Sequence, residues 1–274
     1  MISVDEKYMR MCFALAKKGY GKAAPNPMVG CVVLDRDGNL ISKGYHKKYG
    51  ENHAERDALL KLKNNEAEGG TLYVNLEPCS HFGKTPPCVD LIIKHKLKRV
   101  VIGMKDVNPK VDGITKLKAA GIEVDFVLEE EARFLNRMFI KTMTEKMPYV
   151  VLKTASTMDG KIASRIGSSK WITSETARKE VYRMRKEFDC IMTSSNTVIA
   201  DNPSMQHSFK CILDKDLRTS KDAKIYQQGE IYIASKENTP LKDKQLDIEA
   251  VLKNLYSKGI YSVFAECGGT LAGS

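Results

Sequence analysis

The sequence predicts two consecutive α/β domains. Short apolar stretches with strand character alternate with segments whose apolar residues recur at helical spacing, which is typical of a sheet covered by helices. This alternation is interrupted at Met147-Pro148, because a residue that precedes proline leaves the helical region. We therefore expect one domain over residues 1–146 and a second over residues 147–274.

The first domain begins with a predicted helix and hairpin. Apolar residues at helical spacing behind Asp5 predict a helix over 5–18 that ends at Gly19. Two apolar runs joined by an Asp-Gly turn at 37–38 predict a β-hairpin. Helices are then predicted over 53–63, 88–95, 113–120 and 129–144, and strands over 71–76, 98–104 and 121–127. This order predicts a sheet with helices on both faces.

The second domain shows the same alternation. Strands are predicted over 149–155, 188–194, 210–214, 230–235 and 260–266, and helices over 174–186 and 248–259. The last strand is followed by the turn "GGTLAGS", which should open a further helix whose free amides can bind phosphate groups. The chain has no G-x-G-x-x-G motif, and this disfavours a Rossmann domain.

Composition narrows the class of protein. The net charge is 44 − 34 = +10, but the lysines are dispersed and are not interleaved with aromatic residues, so a nucleic-acid groove is not predicted. No apolar run reaches the length of about 20 residues that a membrane span needs. The N-terminus lacks the apolar core of a secretion signal, and the seven cysteines suit reduced thiols. We therefore expect a cytoplasmic protein with no membrane partner.

Four residues predict a zinc-dependent deaminase. His53 and Glu55 form an H-x-E motif, and Cys79 follows Pro78, as in the zinc deaminase signature. One imidazole and two thiolates can hold zinc and leave its fourth position for water. Glu55 would move protons, and the start of a helix at Cys88 should favour its thiolate. Alone, an H-x-E motif would more often be a solvated helix start, but the cysteines that follow favour the metal site.

The spacing of the cysteines separates several alternatives. Cys88 follows Cys79 by nine positions, whereas the general signature has three. A nucleoside, tRNA or guanine deaminase with an unrelated appendage is disfavoured by this spacing. A structural zinc module that binds nucleic acid would normally have four protein ligands, and the sequence offers three and a carboxylate.

Motifs along nearly the whole chain resemble one family. The first half contains "PNPMVGCVV", "GYHKKYGENHAE", "LEPCSHFGKTPPC" and "DVNP", and the second contains "LKTASTMDGKIAS", "SSKWITSE", "ADNPSM" and "ECGGTLAGS". These motifs resemble the bifunctional riboflavin-biosynthesis deaminase–reductase family, RibD. The resemblance implies a cytidine-deaminase-like three-layer αβα domain followed by a dihydrofolate-reductase-like α/β domain, with Zn²⁺ and NADPH as cofactors. It also implies a phosphorylated pyrimidine substrate and a homo-oligomer, either a dimer or a tetramer.

The resemblance further implies which residues line the two active sites. In the first domain, Glu55 is catalytic, His53, Cys79 and Cys88 hold zinc, and the substrate contacts Asn26, His46, His81, Lys84, Asp106 and Asn108. In the second domain, NADPH contacts Ala155, Trp171, Thr173, Thr197, Asp201, Gly268, Gly269 and Thr270. The reductase substrate contacts Lys153, Ser169, Arg185, Met205 and Glu266.

Three departures from the family pattern concern mainly the second domain. Family members continue beyond the Gly-rich turn, so we expect that this chain lacks the C-terminal part of the reductase domain. The segment after Met205 lacks the family's Thr-x-Arg, and the segment 111–115 is two residues shorter than the family's form. The deaminase motifs are complete, whereas these departures argue against full reductase activity.

Overall fold

A computed structural model describes residues 2–63, 65–83, 85–165, 169 and 172–274. The chain forms two compact units, Met1–Thr144 and Glu145–Ser274. In the described part of the chain, none of the helices combines the length and the apolar character that crossing a lipid bilayer requires.

The first unit is built on a mixed sheet. Its elements are α1 (Val4–Ala16), β1 (Gly30–Leu34), β2 (Leu40–Tyr45), α2 (Ala54–Leu59), β3 (Thr71–Val74), α3 (Cys88–Lys94), β4 (Arg99–Ile102), α4 (Gly113–Ala119), β5 (Glu123–Phe126), α5 (Glu129–Leu135) and α6 (Arg137–Glu145). The strand order is β2-β1-β3-β4-β5. β1 runs antiparallel to β2 and β3, and the last three strands run parallel.

Two glycines let helices approach opposite faces of this sheet. A Cβ atom at Gly30 would lie 2.1 Å from the Cys12 carbonyl oxygen of α1, and one at Gly44 would lie 2.5 Å from the Ala54 carbonyl oxygen at the start of α2. Gly44 pairs with Cys31, the neighbour of Gly30, and neighbouring strand residues point to opposite faces. The unit therefore has the predicted three αβα layers.

The second unit is built on a parallel sheet. Its elements are β6 (Tyr149–Lys153), α7 (Glu175–Arg185), β7 (Cys190–Ser194), α8 (Ser195–Asp201), β8 (Phe209–Leu213), β9 (Glu230–Ala234), β10 (Leu241–Lys242), β11 (Gln245–Leu246), α9 (Ile248–Ser257), β12 (Ser262–Glu266) and α10 (Gly269–Ala272). The strand order is β6-β12-β7-β8-β9, with β10 and β11 forming a separate hairpin. Cys211 and Ile212 of β8 belong to different buried clusters, so both faces of this strand are covered.

The structure differs from the predicted elements in four places. The helix predicted over 53–63 ends at Leu59. The helix predicted over 129–144 is divided at Asn136 into α5 and α6. Helix α8 and the β10-β11 hairpin were not predicted, because both are short and carry no clear periodic pattern.

Candidate active sites

The start of α2 brings His53 and Glu55 to one end of the first sheet. His53 is the N-cap of α2, with the extended backbone angles φ −65° and ψ 161° that a residue preceding a helix adopts. Glu55 lies in the first turn, and only 3% of it is exposed. Both residues therefore lie on a helix start that the close approach at Gly44 holds against the sheet.

The loop from Cys79 to Cys88 folds back on itself. The backbone N–H of Val89 donates to the Cys79 carbonyl oxygen at 3.2 Å, and the N–H of Cys88 lies 3.4 Å from the Cys79 Sγ. Cys88 is the first residue of α3. Nine positions in sequence therefore separate two thiols that meet at the start of one helix.

These thiols and His53 form a group with the geometry of a zinc site. The His53 Nδ1 lies 3.4 Å from the Cys79 Sγ and 3.5 Å from the Cys88 Sγ. All three ligand atoms lie within 4.8 Å of one another. In a tetrahedral site, Zn–N distances of about 2.0–2.1 Å and Zn–S distances of about 2.3 Å place nitrogen and sulfur about 3.6 Å apart. The residues therefore fit zinc in donor chemistry and in spacing.

The two thiols of this group differ in pKa. A hydrogen bond with the Cys88 thiol, assisted by one with His53, lowers the pKa of Cys79 to about 4. The same thiol–thiol hydrogen bond, together with burial, raises the pKa of Cys88. The sequence predicts that the start of α3 favours a Cys88 thiolate, and in the structure the Cys88 backbone N–H at this helix start points to the sulfur of Cys79.

Glu55 has the protonation behaviour of a proton carrier. Burial raises the pKa of its carboxyl group to about 7, although the nearby His53 lowers it. A general acid–base works best when its pKa is close to the working pH. Glu55 can therefore accept and donate a proton near neutral pH.

Asn26 and His46 form one wall beside the candidate metal site. The His46 Nδ1 lies 3.0 Å from the Asn52 carbonyl oxygen, which can only accept, so this nitrogen donates. The His46 Nε2 is therefore the acceptor for the Asn26 Nδ2 at 3.1 Å. The His46 ring is buried and packs edge-to-face with the His53 ring, with centroids 5.5 Å apart. The fold thus joins two predicted substrate residues to a candidate zinc ligand.

Asp106 and Asn108 lie in the loop after β4, close enough to Cys79 and His81 for their charges to affect the pKa of Asp106. The Asn108 backbone N–H donates to Asp106 Oδ1 at 2.8 Å, and burial raises the pKa of Asp106 to about 6. His81 is half-buried, and its Nδ1 has no hydrogen-bond partner among the described residues. The predicted contact of Lys84 lies outside the described residues.

Glu77, which was not among the site residues predicted from sequence, organises this loop. Its Oε2 accepts from the Asp106 backbone N–H at 3.1 Å, and its Oε1 accepts from the Ile114 N–H at 3.0 Å. The side chain is buried. The available signal was its position directly before Pro78-Cys79, where an ionisable residue in an apolar strand end needs partners.

In the second unit, three predicted substrate residues meet at the carboxyl end of the parallel sheet. The Arg185 Nη2 donates to the Glu266 Oε2 at 3.0 Å, and the Lys153 Nζ lies 3.8 Å from the same oxygen. The Thr193 hydroxyl donates to the Glu266 carbonyl oxygen at 2.7 Å. A buried carboxylate is therefore balanced by two cations where parallel strands of α/β proteins commonly bind ligands.

The other residues predicted for the second unit are placed as follows. Ala155, Ser169 and Thr173 are half-buried, and Asp201, Gly268, Gly269 and Thr270 are exposed. Gly268 is the N-cap of α10, so the predicted helix start is present. The Thr197 hydroxyl lies 3.2 Å from the Ser194 hydroxyl. The Met205 side chain packs in a buried cluster, so a substrate contact there would have to involve its backbone. Trp171 lies outside the described residues.

Comparison with known proteins identifies the family. Residues 2–104 match the cytidine and deoxycytidylate deaminase zinc-binding region, and residues 148–274 match the RibD C-terminal domain. The riboflavin biosynthesis protein RibD of Aquifex aeolicus is 43% identical over 280 residues, which cover 96% of this chain and 78% of that protein. The chain belongs to the RibD family.

The RibD likeness extends over both units. RibD of Escherichia coli is 36% identical over 98% of this chain and 83% of its own length. A diaminohydroxyphosphoribosylaminopyrimidine deaminase/5-amino-6-(5-phosphoribosylamino)uracil reductase structure from Thermotoga maritima matches with a TM-score of 0.85 and 39% identity, covering 97% of this chain and 81% of that one. Acinetobacter baumannii RibD matches with a TM-score of 0.83 and 37% identity, covering 98% and 82%.

Family membership confirms several of the predictions from sequence. RibD proteins join a zinc-binding deaminase domain to an NADPH-using reductase domain, which are the fold classes and cofactors that the motifs predict. The class of the chain, a bifunctional enzyme of riboflavin biosynthesis, is confirmed with them.

Proposed function

We propose that the first domain hydrolyses the exocyclic amine of 2,5-diamino-6-ribosylamino-4(3H)-pyrimidinone 5′-phosphate. The observation that carries this proposal is a buried Glu55, with a pKa raised to about 7, beside the His53, Cys79 and Cys88 group. Hydrolysis adds the oxygen of water to the ring carbon and breaks its bond to the amine, which leaves as ammonia.

The residues of this site divide the work of the reaction. His53, Cys79 and Cys88 would hold zinc, which when bound lowers the pKa of a water molecule so that a nucleophile is available near pH 7. Glu55 accepts a proton from the attacking water and donates it to the leaving amine. Since Glu55 is buried, bulk water does not compete for that proton.

The walls of the pocket suit a pyrimidine with a phosphate. Asn26, His46, Asp106 and Asn108 offer amide, imidazole and carboxyl groups that can bind the polar edge of a pyrimidine. His81 and Lys84 belong to the intervening "SHFGKTPP" segment, and we assign them to the ribose phosphate side.

We further propose that the second domain reduces the product of the first reaction. When bound, NADPH would supply the hydride and solvent would supply the proton that together convert the ribosyl group of 5-amino-6-(5-phosphoribosylamino)uracil to ribityl, with NADP⁺ as the second product. The Arg185, Glu266 and Lys153 group supports a substrate site at the carboxyl end of the sheet. We place the enzyme in the cytoplasm as a homo-oligomer, a dimer or a tetramer, with no nucleic-acid partner.

The Glu55→Gln variant tests the deaminase proposal. The amide keeps the size of the side chain but cannot carry the proton, so we expect zinc at one ion per chain and deamination slowed by at least about 10²-fold. Glu51→Gln, at an exposed position, is the matched control and should deaminate normally. Normal turnover by Glu55→Gln would overturn the mechanism. NADPH oxidation by the wild-type chain with the deaminated substrate tests the reductase proposal separately.

A further inference from the structure

A buried asparagine forms the break between α5 and α6, in a segment for which the sequence predicts one continuous helix. Asn136 has φ −98° and ψ 18°, and it is 2% exposed. Its Oδ1 accepts from the Met28 backbone N–H at 2.9 Å, and its Nδ2 donates to the Met28 carbonyl oxygen at 3.1 Å. One side-chain amide thus pairs with both polar groups of a residue 108 positions away.

A second buried asparagine, which follows a strand of the sheet, also forms hydrogen bonds with the backbone around Met28. Asn75 directly follows β3 and is fully buried. Its Nδ2 donates to the Met28 carbonyl oxygen at 2.9 Å, and its Oδ1 accepts from the Gly30 backbone N–H at 2.7 Å. Both lone pairs of the Met28 carbonyl oxygen are therefore used, one by each asparagine.

The segment 26–29, which the two asparagines hold at Met28, contributes to one wall of the proposed deaminase pocket. Asn26, whose Nδ2 meets the His46 Nε2 at 3.1 Å, lies two residues before Met28. The residue after Met28, Val29, accepts the His46 backbone N–H at 2.9 Å through its carbonyl oxygen. A shift of Met28 would therefore move both groups that hold His46 on this side.

We propose that Asn136 is a positioning residue of the deaminase. Asn136 and Asn75 both bind the backbone of Met28, and in this way Asn136 fixes the positions of Asn26 and His46 at the pyrimidine pocket. This inference rests on the proposed deaminase function. The role is one of positioning, because the polar atoms of the Asn136 side chain bind the backbone of Met28.

Because Met28 is half-buried, the effect of an Asn136 variant on the pocket can be measured in a protein that still folds. Met28 is half-buried, so water can take over some of the backbone hydrogen bonds that a variant at Asn136 loses. The Met28 carbonyl oxygen also keeps its bond from Asn75. We therefore expect such a variant to fold and to bind zinc, with a segment 26–29 that is less precisely placed.

Asn136→Ala and Asn136→Asp test the proposal. Asp keeps the size of the side chain and the acceptor for the Met28 N–H, but it turns an oxygen toward the Met28 carbonyl oxygen. For both variants we expect zinc at one ion per chain and a KM for the diaminopyrimidine ribosyl phosphate raised by about tenfold, because small misplacements of binding groups are costly. In a Glu55→Gln background, the Kd for the same compound should rise by a similar factor.

The matched control is Thr142→Val in α6. The Thr142 side chain is buried and its hydroxyl bonds only to its own helix, at Met138 and Phe139, among the described contacts. This variant should alter thermal stability but leave KM unchanged.

Three results would overturn the inference. The first is a KM within twofold of the wild-type value in both Asn136 variants. The second is a loss of zinc that parallels the loss of activity while the remaining enzyme keeps a normal KM, since this is the result of a purely structural role. The third is a wild-type chain that does not deaminate, which would overturn the proposed function and the inference that depends on it.

Discussion

The backbone N–H of Cys88 points to the sulfur of Cys79, with a nitrogen–sulfur distance of 3.4 Å. This contact closes a loop that carries a glycine and two prolines. It places the two sulfurs 3.4 and 3.5 Å from the His53 Nδ1, close to the distance between two ligand atoms of one zinc ion. A spacing of nine residues is thus compatible with a single metal site, because the loop folds back and brings Cys88 next to Cys79.

Replacing a zinc ligand should remove the metal. In Cys79→Ser we expect zinc content to fall from one ion per chain to well below half, because a neutral hydroxyl replaces a thiolate. Cys12→Ala is the control, since Cys12 is a buried core thiol of α1 and should leave the zinc content intact. Metal analysis after dialysis measures both, and full zinc in Cys79→Ser would contradict the assigned site.

A methyl group at Gly113, the first residue of α4, should disturb the loop that holds Cys79 and Cys88. Its Cβ would lie 2.0 Å from the Pro78 carbonyl oxygen, directly before Cys79. We expect Gly113→Ala to lower stability by about 1–3 kcal/mol and to weaken zinc binding, because a backbone atom cannot move aside as a flexible side chain can.

Gly83→Ala is the paired control for this clash. A Cβ at Gly83 meets nothing within 4 Å among the described atoms, and the residue lies in the same loop. Thermal unfolding and zinc content should therefore match the wild type. Equal behaviour of the two alanine variants would show that the close approach at Gly113 is not required.

The ion pair between Asp5 and Arg99 should make stability depend on pH. Two Arg99 nitrogens donate to the Asp5 carboxylate at 2.8 and 2.9 Å, and these bonds lower the pKa of Asp5. A lowered pKa in the folded state stabilises the fold above the unfolded value of about 3.9, and this contribution is lost as pH falls through the folded value.

Asp5→Asn should therefore be less stable than the wild type by about 1 kcal/mol at pH 7, with a difference that shrinks below about pH 4. Urea unfolding from pH 7 to pH 3 measures this difference. Asp37→Asn, in the exposed hairpin turn, should show no such trend. A difference that stays constant with pH would argue against the ion pair as its source.

In the second unit, Glu266→Gln should reduce activity with NADPH and leave deamination unchanged. The amide leaves Arg185 and Lys153 facing a neutral group at a buried position, so we expect at least about tenfold slower NADPH oxidation. Glu180→Gln, which removes an exposed partner of Arg183, is the control. Equal loss in both variants would indicate a general effect on the unit.

Local chemistry made much of the deaminase site predictable. His53 and Glu55 lie two residues apart at the start of a helix. Cys79 lies after a strand, and Cys88 lies at the start of a helix. The local structure around these residues and their candidate roles could therefore be predicted from short sequence patterns. The hairpin around Gly38 was predictable for the same reason, because an Asp-Gly pair between two apolar runs marks a tight turn. The register was not, because the turn closes between Asp35 and Asn39 and the pairing shifts between Val33 and Leu34.

By itself, the sequence determined the two α/β domains and the RibD family and predicted the proposed zinc ligands, since periodicity indicates the domains and motifs of a few residues indicate the family and the ligands. Only the tertiary structure decided that Asn136 ends α5 to bind Met28, that Glu77 holds the loop of Asp106, and that the α3 amide serves Cys79. The first two depend on hydrogen bonds between residues 108 and 29 positions apart that the tertiary fold brings together, and the third depends on how one loop folds back, so no local pattern encodes them.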